Sequence, residues 1–412
     1  MIDAGVYPGL EPRLVLPQAI DGPMSLAAEI DAGTYRHPEG VEVLGELAIS
    51  GLRGRGGAGF SAHIKWQGVA MASGAKVVVA NGEEGEPSSF KDRWLLTHRP
   101  HLVLDGLLLA ARVCGAQRAI VYLSHPETQA AVELALRELR DAGMLNTGPA
   151  PEIFMVEPTY VAGEETSVCR AINGGPALPL SKPPRPFERG VADLPTLVSN
   201  VETLAHAAWI ARHGGQRYRE QGTADSPGTA LVTLAGACRK PGVYEIPFGV
   251  SVGNLFETVG GGFVSQPRGF ALGGWFGGMT GPGGSAISCE FGACREAESG
   301  WGCGAITVLG EHDDPVAFAA KVSSWYVGES AQQCGVCIKG THAIAKTIQT
   351  FNQHGANDAD RENLIRWGKI LPGKGACAFL DGAAALGRSL VAHFPREVAA
   401  GISSEKAQQE HA

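Results

Sequence analysis

The chain of 412 residues is short of charge, and above all of positive charge. Charged residues make up 18%, and 34 Lys and Arg stand against 42 Asp and Glu, for a formal net charge of -8. A nucleic-acid binder needs a basic face to meet phosphates, so nucleic acid is not expected as a partner. Long hydrophobic runs are missing too. The best candidate is broken by Asp105 and Arg112, short of the roughly 20 residues that span a bilayer, so no direct membrane insertion is expected. Nothing at Met1 to Leu10 has the basic and then apolar pattern of a signal peptide, and the chain reads as cytoplasmic. In that compartment nine cysteines point to thiols, metal or redox chemistry rather than to structural disulfides.

Glycine, by contrast, is abundant: 57 residues, about twice the usual share near 7%, without the triplet period of collagen. Apolar runs such as Lys76 to Ala80 and Leu102 to Ala111 exclude disorder, so the excess belongs to loops. Helical spacing at Val41 to Ile49 ends at Gly51, a strand follows at Lys76 to Ala80, and a helix at His101 to Val113. Next come a strand at Arg118 to Leu123, a helix at Glu127 to Ala142 and a strand at Glu152 to Val156. This alternation predicts an α/β domain with a mostly parallel sheet over residues 1–225. After a linker at Gln221 to Gly228, short β-rich pieces (Ala230 to Gly236, Gly242 to Pro247) mark a smaller domain over 226–312. It contains 11 glycines between Gly260 and Gly284. Four helical segments, Val316 to Tyr326, Val336 to Phe351, Arg361 to Ile370 and Gly382 to His393, predict a bundle over 313–412.

Four stretches carry chemistry. Gly51 to Phe60 contains a Gly54-x-Gly56-x-x-Gly59 match, but a helix precedes it, so an orthodox dinucleotide turn is not supported. Its glycine amides still suit phosphate oxygens, with Arg53, Arg55 and Lys65 adding positive charge; the bland reading is a surface loop. Glu83, Glu84 and Glu86 crowd a turn after a strand, where they suit ribose or ring N–H groups, or make a solvated acidic turn. Glu164 and Glu165 suit a helix N-terminus, and Asn200 and Thr203 are capping groups or ligand donors.

Taken together and in this order, these stretches resemble the flavoprotein subunit of respiratory NADH:quinone oxidoreductase (complex I) and its relatives in NAD-linked hydrogenases and formate dehydrogenases. The resemblance rests on Gly51 to Phe60 with Lys65-Trp66, Asn81 to Arg93, Gly163 to Thr166, Lys182 to Pro184 and Ser199 to Thr203. It continues through Pro241 to Tyr244 to Cys334, Cys337 and Cys377. It implies a Rossmann-like FMN- and NADH-binding domain, a ubiquitin-like β-grasp domain and a C-terminal helical bundle. It further implies FMN cradled by Gly54, Arg55, Gly56, Gly57, Ala58, Gly59 and Phe60, with Asn81, Glu83, Glu84, Ser199, Asn200 and Thr203 around it. Glu86, Tyr160, Gly163, Glu164 and Glu165 would border the nicotinamide nucleotide, and Glu86, Glu164 and Glu165 are the catalytic candidates. Lys65 and Lys182 would face its phosphates. The cofactor donates hydride from nicotinamide to flavin, and the protein supplies orientation.

Two departures stand out. The family's four-cysteine cluster set is reduced to Cys334, Cys337 and Cys377, because Ala331 occupies the first position. A three-iron cluster, a four-iron cluster completed by water, Gln332, Gln333 or His342, or no cluster at all are the alternatives. The aromatic positions that clamp adenine in the family are matched by Gly68 and Arg185. Arg185 could stack on the purine or read a 2'-phosphate, whereas Glu165 favours NADH over NADPH. Cys289, Cys294 and Cys303 read as incidental thiols, and His63, His101 and His206 receive no role. The leading expectation is an FMN-dependent NADH dehydrogenase (diaphorase) module serving a ferredoxin, a thioredoxin-like [2Fe-2S] protein or a larger oxidoreductase complex. A reverse ferredoxin:NAD+ reductase and a redox-silent docking scaffold are the alternatives.

Overall fold

The computed structural model describes residues 3–16, 22–146 and 148–400. Its strands are β1 (Asp3–Val6), β2 (Val77–Asn81), β3 (Arg118–Leu123), β4 (Glu152–Met155), β5 (Thr196–Asn200), β6 (Thr229–Gly236), β7 (Gly242–Pro247), β8 (Gly269–Leu272), β9 (Met279–Thr280) and β10 (Ala305–Leu309).

The first sheet has the order β4-β3-β2-β5, and every pairing in it is parallel. Val77 to Ala80 is buried throughout, which explains an uninterrupted apolar run rather than an alternating one. Helix Pro100–Cys114 lies almost entirely inside and packs on helix Val201–His213. A Cβ at Gly106 would strike the Leu204 carbonyl, so glycine is what lets these two helices approach. The chain runs β2, β3, β4 in one direction and then returns to place β5 on the other side of β2. That reversal makes β2 and β5 the topological switch point, whose carboxyl ends are the usual ligand crevice of an open α/β sheet.

The second sheet has the order β1-β7-β6-β10-β8-β9. β6 and β7 form an antiparallel hairpin, helix Val252–Thr258 follows, and β10 returns parallel to β6. The first unit does not begin at residue 1 as expected, because Asp3–Val6 pairs in parallel with Gly242 to Glu245. The buried Glu245 carboxylate anchors the continuation by accepting the amides of Arg13, Leu14 and Val15.

Helices Pro315–Gly328, Gly335–His354, Asp358–Ile370 and Phe379–His393 build the third unit, with a short Pro395–Ala400 after them. The glycine-dense stretch joins all three units. Gly274 lies where a Cβ would come within 2.6 Å of Glu86 in the first unit, and the Met279 amide donates to Ser389 in the third. Among the described residues no helix is long and apolar enough to cross a membrane.

Candidate active site at the switch point

Asn81 and Asn200 end β2 and β5 opposite one another in register. Around this pair the structure gathers segments from four parts of the chain. The glycine loop leaves helix Val43–Ser50 through left-handed Gly51 and closes on itself by a Gly54 N–H to Phe60 carbonyl bond of 2.8 Å. Thr203 accepts the Arg55 amide at 2.9 Å, and a Cβ on Gly56 would stand 3.3 Å from the Asn200 Cβ. Gly57, at φ +122°, faces open space, and Phe60 is 54% exposed. Among the described residues the amides of Gly56, Gly57 and Ala58 have no hydrogen-bond partner of good geometry. Free amides around an open glycine are what a phosphate needs, so the loop fits a flavin phosphate.

From the end of β2, Asn81 Nδ2 donates to the Gly163 carbonyl at 2.9 Å, and a Cβ at Gly163 would collide with the Glu83 carboxylate. Glu83 is buried with Oε1 unpartnered, and burial pushes its carboxyl well above the usual range. An orphaned buried oxygen on a carboxylate beside Gly163 is a ready acceptor for a ring N–H or, protonated, a donor.

Several expected roles change once side chains are placed. The Arg55 guanidinium points into the interior, where it donates to Tyr218 Oη at 3.0 Å and the Thr229 carbonyl at 2.9 Å. It holds the loop rather than a phosphate. Glu84 accepts from Ser89 and from the amides of Asp92 and Arg93, so it caps helix Lys91–His98. Glu164 is the N-cap of helix Glu165–Ile172, accepting from Thr166 and Ser167. Asn200 likewise caps helix Val201–His213 through Oδ1 and gives Nδ2 to Asp92 at 2.6 Å. Ser199, one residue earlier, is buried in β5. Lys65 and Lys182 do not stand free. Lys65 meets Glu165 at 2.9 Å, and Lys182 meets Glu164 at 2.7 Å and Glu165 at 3.2 Å. Against its burial, these lysines hold the Glu165 carboxyl below its usual range. Exposed Arg185 reaches the same carboxylate at 3.9 Å, and the open side of Gly68 faces Phe187, an aromatic neighbour with no sequence signal.

The charges beneath the site escape a reading of the sequence. Lys91 is fully buried and binds Asp92 at 2.7 Å and Glu202 at 2.9 Å. Burial alone would lift the Glu202 carboxyl, but Lys91, His206 and Arg55 hold it at about 2, and burial lowers His206 to about 4. Burial lifts the Asp92 carboxyl, between Lys91 and Asn200, above its usual range, against the pull of Lys91. No local pattern pairs these residues, since Lys91 and Asp92 lie more than a hundred positions from Glu202 and Asn200.

Glu86 sits at the junction of the three units, accepting from Ser88 at 3.0 Å and from the Trp275 amide at 3.0 Å. Tyr160 packs nearby among Phe276, Trp325 and Phe379. Burial lifts the Glu86 carboxyl from 4.5 to about 7. The native state therefore holds this proton more tightly than the unfolded chain. The resulting stability is complete below pH 4.5 and is lost as pH rises through 7, a swing of about 3 kcal/mol. Glu86→Gln should flatten the fall in thermal midpoint between pH 5 and 8; an unchanged slope would rule out Glu86 as its source.

Cys334, Cys337 and Cys377 line one cavity with Ser330, Ala331, Gln332 and Gln333. Three thiols around one cavity match in number three of the four thiolates that a cuboidal cluster takes. His342 is not among the lining residues; its Nδ1 pairs with the Ile338 carbonyl at 2.8 Å.

Comparison with known proteins bears on this geometry. Residues 47–209 match the Nuo51 FMN-binding domain, and residues 317–401 match the NADH-ubiquinone oxidoreductase-F iron-sulfur binding region. An NADH-quinone oxidoreductase F chain of Rhizobium meliloti is 34% identical over 388 residues, covering 91% of each chain. The alpha subunit of the NAD-reducing hydrogenase HoxS of Cupriavidus necator is 31% identical over 88% of this chain, which spans 60% of that subunit. A crystal structure of NAD+-reducing [NiFe]-hydrogenase in the air-oxidized state superposes with a TM-score of 0.80 at 32% identity, covering 89% of this chain and 64% of that one.

Proposed function

The chain belongs to the family of the F chain of NADH-quinone oxidoreductase, and on that premise we propose how its own residues serve a flavin-dependent NADH oxidoreductase. Bound FMN supplies acceptance of a hydride from NADH and release of the electrons singly to iron-sulfur carriers. The observation that carries the residue assignments is the convergence of the glycine loop, the acidic turn, Gly163 and Asn200 at the switch-point ends of β2 and β5.

In this reading the amides of Gly56, Gly57 and Ala58 bind the flavin phosphate, and Thr203 and Arg55 fix the loop that presents them. Glu83 and Asn81 face the ring. Phe60, Lys65, Glu165, Lys182 and Arg185 form the outer lip that meets NADH, with Glu165 accepting from ribose hydroxyls. The nucleotide phosphates then compete with Glu164 and Glu165 for the two lysines. Glu86 and Tyr160 close the inner side against water.

The relatives are subunits of larger oxidoreductases, and for this chain we propose a ferredoxin or a thioredoxin-like [2Fe-2S] protein as acceptor, in the cytoplasm. Flavin fluorescence quenching tests the cradle. FMN should bind at least about tenfold more tightly than riboflavin, the worth of one or two charge-assisted hydrogen bonds. Equal affinity would remove the loop from phosphate binding.

A further inference from the structure

We propose that the cavity lined by Cys334, Cys337 and Cys377 holds an iron-sulfur cluster through three thiolates only, leaving one iron open to a non-protein donor and exchangeable. This rests on the family reading above, and concerns residues in which this chain is its own case.

Cys334 is the N-cap of the 20-residue helix Gly335–His354, and Cys337 lies in its first turn. Both thiols thus stand at the N-terminus of this helix and face the same cavity. Cys377 enters from the loop before helix Phe379–His393 and lines the same cavity. Among the described residues, no three His, Cys, Asp or Glu side chains converge closely enough for a single metal ion. A multi-iron cluster spreads its thiolates farther apart than a single ion does.

A four-iron cluster takes four cysteine thiolates, and the groups near the fourth corner are poor replacements. Ala331 offers a methyl group. The Ser330 hydroxyl is spent against Cys337 Sγ at 3.6 Å and the Gln332 amide at 3.4 Å. Gln333 is committed at both ends: its Nε2 donates to the Pro179 carbonyl at 2.9 Å, and its Oε1 accepts from Arg170 at 3.0 Å. Gln332, at φ +53°, brings only a neutral amide. Among the described residues no carboxylate or imidazole lines the cavity. The fourth iron is left with solvent or a small thiol as ligand.

Loss of that iron on one-electron oxidation balances. A core of two ferrous and two ferric ions becomes a core of three ferric ions plus one released ferrous ion, the electron passing to an added oxidant such as ferricyanide, with all sulfides kept.

The test uses the full chain with FMN bound, its cluster assembled anaerobically from ferrous iron and sulfide. Ferricyanide with EDTA should remove about one iron in four, leave sulfide and FMN contents unchanged, and produce the electron paramagnetic resonance signal of a three-iron cluster. Ferrous iron should reverse the change. Ala331→Cys should slow iron loss at least tenfold. Retention of all the iron by the wild-type protein under these conditions would overturn the inference, whether or not the variant folds. So would a protein that takes up no iron while its FMN is still bleached by NADH, an outcome that leaves the flavin reading intact.

Discussion

Replacing Lys91 with alanine should lower stability by about 3–5 kcal/mol, the cost of breaking a buried ion pair by removing one partner. Its ammonium is inaccessible to solvent and neutralises both Asp92 and Glu202. Without it, Glu202 keeps the Leu231 amide at 2.8 Å and, among charged groups, Arg55 and His206 at 3.6 Å each, while Asp92 takes up a proton and weakens its bond to Asn200. The effect then reaches the site, because Asn200 and Thr203 start the helix that holds the glycine loop. Denaturant unfolding of Lys91→Ala should show the loss, and FMN affinity should fall with it. Adding Glu202→Gln should recover part of the stability, since the second change removes the carboxylate stranded by the first. A midpoint equal to wild type would contradict the assignment of Lys91 as the neutralising charge.

The second large effect is expected at Gly57. Its φ of +122° is closed to residues with a Cβ, and the space its Cβ would enter is open. In Gly57→Val the backbone either keeps its conformation at a strain of about 1–3 kcal/mol, or relaxes and pulls the amides out of alignment. Either way FMN affinity should drop about ten- to a hundredfold, on the usual scale of 1.4 kcal/mol per factor of ten, with the added isopropyl group obstructing the phosphate. Fluorescence titration measures this, and far-ultraviolet circular dichroism should show the fold retained. Unchanged affinity would move the phosphate elsewhere.

The first sheet and its helices are legible where burial leaves an uninterrupted apolar run, as at Val77 to Ala80, or an apolar stretch interrupted only at His101, Asp105 and Arg112, as at Pro100 to Cys114. β1 is not. Asp3 to Val6 carries no period of its own and is held by a partner some 240 residues away in the chain, at Gly242 to Glu245. β5 is hidden for a related reason, since Thr196 to Asn200 mixes polar and apolar side chains that are nonetheless nearly all buried. At the site, the glycine loop and the acidic turn are visible as composition, but composition does not say where a side chain goes. Arg55, Glu84 and Glu164 are polar groups near a ligand site in sequence, and the fold uses each to satisfy backbone or buried partners. The charge network under Asn200 joins residues more than a hundred positions apart, and no local pattern announces it.

On the proposed function, NADH delivers hydride to FMN held by this chain itself. Anaerobic titration of the isolated, FMN-loaded protein with NADH, followed by visible absorption, tests it most directly. The flavin band should bleach fully with about one two-electron equivalent per FMN, plus whatever a cluster accepts, and NADPH should do so far more slowly. A flavin that binds but stays oxidised in excess NADH, or a protein that takes up no FMN, would contradict it.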